Sequence, residues 1–200
     1  TQRGKAEEDR YCLAIPNMEI RRIFTRQIMA WFQENASRDG EMLAGFCGAL
    51  QNGDAGGVER YLSAYLRKTV SIRDTFAGKS AKENFYHGMI LGLLRFKDSW
   101  GILSNREAGE GYADIQVEID EADLGIVIEV KYAHDGDLDA GCRRGLDQIV
   151  RKHYGDGLYE NGMKRVLMYG ICFYRNKCRV MVLEEKMTED HDDAAKGGDR

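Results

Sequence analysis

Proline occurs only once in these 200 residues, at Pro16, and the five cysteines form no Cys-x-x-Cys pair. An odd set of thiols (Cys12, Cys47, Cys142, Cys172, Cys178) without paired spacing argues against a disulfide framework. Cys172 and Cys178 are close enough in sequence to meet across a hairpin, but no second ligand pair supports zinc. No apolar run approaches the roughly 20 residues of a membrane span, and no secretory segment opens the chain. The expectation is a cytoplasmic, reducing setting with free and mostly buried thiols, and no membrane contact. No period of roughly twenty to fifty residues repeats, which excludes a solenoid. The four histidines are scattered; His87, on an apolar helix, reads as a packed or hydrogen-bonded ring rather than a metal ligand.

Net charge is −4, and Glu184 to Arg200 carries seven acids against three bases, which accounts for all of it. Residues 1–183 are therefore neutral, and charge balance argues neither for nor against nucleic acid. From Met187 onward apolar periodicity is lacking, so the acidic tail 187–200 is expected to be disordered. A chain of this length makes one ordinary domain with room for a helical appendage.

What is present is a set of amphipathic and buried segments. Pro16 and Asn17 start a predicted helix, Met18 to Phe32, with Ile20, Ile23, Phe24, Ile28 and Trp31 on one stripe and Arg21, Arg22 and Arg26 opposite. Two short helices follow, Met42 to Leu50 and Val58 to Leu66, separated by a glycine-rich turn, Gly53 to Gly57. Ser80 to Leu94 reads as an amphipathic helix opened by a capping box, Ser80 to Glu83, with Phe85, Met89, Ile90, Leu93 and Leu94 facing the core. Gly78-Lys79-Ser80 resembles the end of a phosphate-binding loop, but the glycine required five positions earlier is Arg73. A turn within Ser104 to Gly111 joins two strands, and Asp137 or Asp139 caps a helix running to about His153. Val166 to Phe173 and Arg179 to Leu183 form the final strands.

Ile126 to Ile128 is a β-branched run that reads as a strand buried on both faces, yet it leads into Glu129-Val130-Lys131. Side chains two apart on a strand share a face, so Glu129 and Lys131 project together. Upstream, Ile115, Val117 and Ile119 alternate with Asp114, Gln116 and Glu118, and the polar link Asp120 to Asp123 predicts an antiparallel hairpin. The start of its first strand then lies beside the end of its second. Asp114 and Glu129 meet at one end of the sheet and could hold a divalent cation between them, with Lys131 alongside. Arg144, Gln148, Arg151 and Lys152 lie three to four apart on the following helix; the spacing alone favours an ordinary solvated face, and only the neighbouring carboxylates turn the reading toward phosphate contacts. Glu83 has two open roles, helix cap and third metal carboxylate, which do not exclude each other.

These residues and the order of elements resemble the PD-(D/E)xK nuclease superfamily, and more closely the nuclease module at the C-terminus of bacterial AAA-ATPase-like proteins. The resemblance spans roughly residues 70–184 and rests on Glu83 to Gly88, Ser104 to Glu107, Gly111 to Asp114, Ile128 to Lys131 and Gln148 to Tyr154. Ala113 stands where the motif has proline, which leaves the ligands in place. Ile15 to Phe32 resembles the linker that follows an ATPase-like part, making the chain an excised piece. The resemblance implies a restriction-endonuclease-like α/β fold, a mixed sheet flanked by helices in the order αβββαββ. The expected division is a helical region or linker at 1–68, a nuclease-like domain at 69–186 and the tail. It implies Asp114, Glu129 and Lys131 as catalytic residues and Gln148 as a position near the site. Asp114, Glu129, the Val130 carbonyl and Glu83 then hold Mg²⁺, or Mn²⁺ in its place, for cleavage of DNA. Lys131, partly desolvated, could lose its proton readily enough to act as a base. The rival expectation is a catalytically silent module that keeps the fold to bind nucleic acid or protein.

Overall fold

The computed structural model describes residues 40–69 and 79–186, together with Ile23, Arg26 and Gln27. Two helices come first, Gly40–Gln51 (α1) and Ala55–Thr69 (α2). The glycine-rich turn is shorter than its composition suggests. Asp54 Oδ1 accepts from the Gly57 amide at 2.8 Å, which caps α2 and draws Gly56 and Gly57 into its first turn.

Helix α3 spans Lys79–Leu94, which puts Ser80 inside the helix rather than at the position before it. Its amphipathic reading also gives way. Asn84 and every residue from Tyr86 to Leu94 are buried, with β1, β2 and β3 of the sheet packed against the helix. A helix covered on all sides has no polar stripe to show. The expected helix Met18 to Phe32 lies outside the described residues except at three positions. There Ile23, placed on the apolar stripe, is about half exposed at 47%. Arg73 and the acidic tail 187–200 also lie outside them.

The strands follow as Gly101–Ala108 (β1), Gly111–Ile119 (β2) and Leu124–Tyr132 (β3). The β1–β2 turn is confined to Gly109 and Glu110, so Ser104 to Ala108 belong to the strand. Between β2 and β3 a 3-10 turn, Asp120–Ala122, ends at Asp123 in the left-handed region (φ 47°). Helix α4 (Leu138–Arg151) is capped by Asp137, whose Oδ1 accepts from the Ala140 amide at 2.9 Å. A short helix, Asp156–Glu160 (α5), precedes Arg165–Tyr174 (β4) and Lys177–Lys186 (β5).

The sheet order is β1-β2-β3-β4-β5, with β3 and β4 parallel and the other neighbours antiparallel. A parallel pair needs a crossover, here α4 and α5. One face of the sheet (Ile115, Val117, Ile126, Ile128, Val130) packs with α1–α3 in a single cluster. The other (Val127, Val166, Met168) packs against Leu146 and Ile149 of α4. With both faces covered, β3 is buried almost throughout.

Cys47, Cys142, Cys172 and Cys178 are free and buried. Phe173 pairs with Cys178 and Cys172 with Arg179, which turns the two thiols of the terminal hairpin to opposite faces. Burial pushes the Cys47 and Cys142 thiols up to about 12 and those of Cys172 and Cys178 to about 11. No described helix is long and apolar enough to cross a membrane.

Candidate active site

Strand β2 breaks its own alternation at Asp114. Ala113 packs with Leu146 and Ile149, whereas Ile115, two residues on, packs into the opposite cluster. The ladder to β1 runs Ser104↔Ile115 and then Arg106↔Ala113, leaving Asn105 (φ 50°) and Asp114 opposite each other but unpaired. The ladder to β3 ends at Ile115↔Ile128, one step short of Asp114 and Glu129. The register is the same on both sides of this gap, so only Asp114 drops out of the ladder. Its carboxylate reaches the neighbouring strand, where Oδ2 accepts from the Val130 amide at 3.0 Å. Its carbonyl accepts from His87 Nε2 at 2.9 Å, so His87 is the hydrogen-bonded ring its setting predicted.

Glu129 and Lys131 project together toward α4, as their spacing requires. The ammonium donates to Glu129 Oε1 at 2.7 Å and to Gln148 Oε1 at 2.8 Å. Gln148 in turn donates to the Tyr154 hydroxyl at 3.4 Å, a long bond. Glu129 is only 2% exposed, and its Oε2 is buried with no hydrogen-bond partner. Burial, and then the charge of Asp114, push this carboxyl up from 4.5 to about 7 against the downward pull of Lys131. Burial lowers the Lys131 value, but the Glu129 carboxylate beside it outweighs that and holds the ammonium above its ordinary 10.5. The sequence-based expectation of an easily deprotonated lysine is thereby corrected: the partner, not desolvation, decides the direction.

Glu83 sits at the C-terminal end of β3, its Oε1 3.4 Å from the Tyr132 amide, a weak contact that turns it toward the sheet rather than the start of its own helix. Among the described residues no three His, Cys, Asp or Glu side chains gather as a ready-made metal cage, and Asp114, Glu129 and Glu83 do not form one.

Close helix–strand packing brings Gln148 to Lys131. A Cβ on Gly170 of β4 would collide with the Cys142 carbonyl, and one on Gly141 would collide with Cys172 Sγ. Beside Gly145 the Gly170 Cα lies 3.4 Å from where a Cβ would stand, and the Glu129 carbonyl 3.5 Å. A cavity of about 750 Å³ opens there, lined by Glu83, Lys131, Arg144, Gln148 and Arg151, among others. Lys152 does not line it; it caps α4 and faces Glu110 at 3.6 Å. The three glycines went unremarked in the sequence, and neither the Asp114 carbonyl as the partner of His87 nor the contact of Gln148 with Tyr154 was foreseen there. Two glycines four apart on one helix, Gly141 and Gly145, are the signal that could have announced the close approach.

A mixed five-stranded sheet between helical layers, with an aspartate on one strand and Glu-x-Lys on the next, defines a restriction-endonuclease-like α/β fold. Residues 81–183, just over half the chain, match the PD-(D/E)XK nuclease superfamily, and the protein belongs to that family. No curated protein matches the chain. Membership suggests nuclease activity and implies nucleic-acid binding.

Proposed function

We propose that this protein is a metal-dependent nuclease hydrolysing the phosphodiester bonds of DNA, with Asp114 and Glu129 as metal ligands and Lys131 positioning the attacking water. The observation that carries this reading is Glu129 Oε2, a buried acceptor without a donor on a carboxyl whose neighbour is Asp114. Leaving such an atom unsatisfied costs about 1–3 kcal/mol, and a cation would remove that cost. The hydrogen bond from Val130 occupies one of the two Asp114 oxygens. Two carboxylates with the Val130 carbonyl form a hard oxygen set that suits Mg²⁺, with Mn²⁺ as a substitute. When bound, the ion supplies charge neutralisation at the phosphate and makes a bound water more acidic.

Lys131 has three N–H donors and uses two on Glu129 and Gln148, which leaves one to direct at a water or phosphate oxygen. Held by these two hydrogen bonds, the ammonium is placed for positioning and charge compensation. Arg144 and Arg151, exposed along the cavity, would contact backbone phosphates together with Gln148. Lys152 would contribute further along the duplex, and Glu83 would act at the cavity mouth through metal-bound water. The free buried thiols support a reducing, cytoplasmic setting. We extend the proposal to an ATPase-like domain of the same parent chain as a partner, with residues 1–68 as the connecting region and 69–186 as the nuclease unit.

Cleavage of plasmid and linear DNA with Mg²⁺ or Mn²⁺ tests the reading. Asp114→Ala and Lys131→Ala are each expected to abolish it, and activity surviving both substitutions refutes the assignment. Metal binding without any cleavage would favour the second reading, a catalytically silent module that binds nucleic acid or protein.

A further inference from the structure

We propose that His87, supported by Ser104 and Asn105, is a positioning device that sets the peptide of Asp114 and thereby aims its carboxylate at the metal. The inference rests on Asp114 being a metal ligand, as read above. It starts from the break in β2. Asn105 has turned into the left-handed region and does not pair with Asp114. On the other side the β2–β3 ladder has already ended at Ile115. The Asp114 carbonyl is thus outside both ladders, and a partly buried carbonyl needs another donor.

His87 supplies it. The ring is 1% exposed on α3, and Nε2 lies 2.9 Å from Asp114 O. A carbonyl only accepts, so Nε2 carries the hydrogen, and the contact itself dictates the tautomer. Ser104 Oγ stands 3.2 Å from the same nitrogen and accepts from Asn105 Nδ2 at 3.0 Å. The residue that breaks the ladder therefore also buttresses the donor that replaces it.

An ordinary buried histidine would satisfy itself on any convenient carbonyl. This one bonds the main chain of the ligand itself, at the one residue where both neighbouring ladders lapse. Asp114 is then held at two points, its carbonyl by His87 and its Oδ2 by the Val130 amide. Rotation of that peptide would swing the carboxylate away from Glu129. Removing the imidazole should therefore weaken metal binding before it weakens the fold.

The experiment measures Mg²⁺ and Mn²⁺ affinity by calorimetry, alongside the metal dependence of cleavage. His87→Leu is expected to bind about tenfold or more weakly, in line with the loss of a group that orients a ligand. His87→Gln, which can present an amide Nε2 at similar reach, should recover most of the affinity. Ser104→Ala and Asn105→Gly, both on the outer side of the ring, should each weaken binding by about two- to threefold, a fraction of what direct loss of the orienting group costs. Wild-type affinity in a folded His87→Leu overturns the proposal. If that variant does not fold, unchanged affinity in both Ser104→Ala and Asn105→Gly overturns it instead. Undiminished metal binding by Asp114→Ala would sink the ligand assignment rather than the positioning role, so the two failures are distinguishable.

Discussion

Gln148 Oε1 accepts from the Lys131 ammonium at 2.8 Å while Glu129 Oε1 accepts from it at 2.7 Å, so a helix and a strand grip one cation from two sides. The strand provides the charge and the helix provides the direction. With Gln148 removed, the ammonium keeps its ion pair but loses the second anchor that fixes where its remaining N–H points.

Gln148→Leu is accordingly expected to lower kcat for DNA cleavage about 10- to 100-fold, the scale of losing orientation at a reacting centre. Metal affinity should change little, because neither proposed ligand is touched. Steady-state cleavage with parallel metal titration checks this. A large loss of metal affinity with kcat intact would reverse the roles assigned to the two residues.

The glycines at the α4 contact are not equivalent. Gly170→Ala drives a methyl into the Cys142 carbonyl, backbone against backbone, and should destabilise by about 1–3 kcal/mol, as overpacking does. Gly145→Ala meets only ordinary contacts of 3.4 to 3.6 Å and gains helix propensity. Its stability should stay within about 1 kcal/mol of wild type. Urea denaturation of the two variants decides the matter, and equal losses would contradict the packing described.

Glu129 makes the metal-free protein sensitive to pH. Its folded pKa, about 7, lies above its ordinary 4.5, so the native state binds more protons than the unfolded chain between those values. Stability should then be greatest near the acid end of this window, fall as pH rises through it and level off above about 7. Thermal melts in EDTA across this range should show that slope in wild type and a shallower one in Glu129→Gln. Identical slopes would mean that the carboxyl is not held protonated by its surroundings. At pH 8, Mg²⁺ should raise the wild-type Tm and leave Asp114→Ala unmoved.

Much of the site could be read before any coordinates. The i, i+2 spacing of Glu129 and Lys131 put them on one face, and the four-residue link at Asp120 to Asp123 made β2 and β3 an antiparallel hairpin. Together these bring Asp114 to the end of the sheet where Glu129 emerges. The helix cap was narrowed to Asp137 or Asp139, and the structure chose Asp137, whose short side chain reaches an amide three residues on. The amphipathicity assigned to α3 failed for a different reason. Burial depends on what covers a helix, and the strands packed on this one follow it in the chain, outside any window over which its own periodicity is read.

Local sequence thus settled which residues could share a face, a hairpin or a cap, because those relations follow from the periods of strand and helix over a few residues. The lapse of the ladder at Asp114, the donation from His87 27 residues away and the choice of Lys131 to stay an ammonium belong to the folded whole. Each depends on contacts between separate elements and on exclusion of water, and none of the three is encoded in the spacing of neighbours.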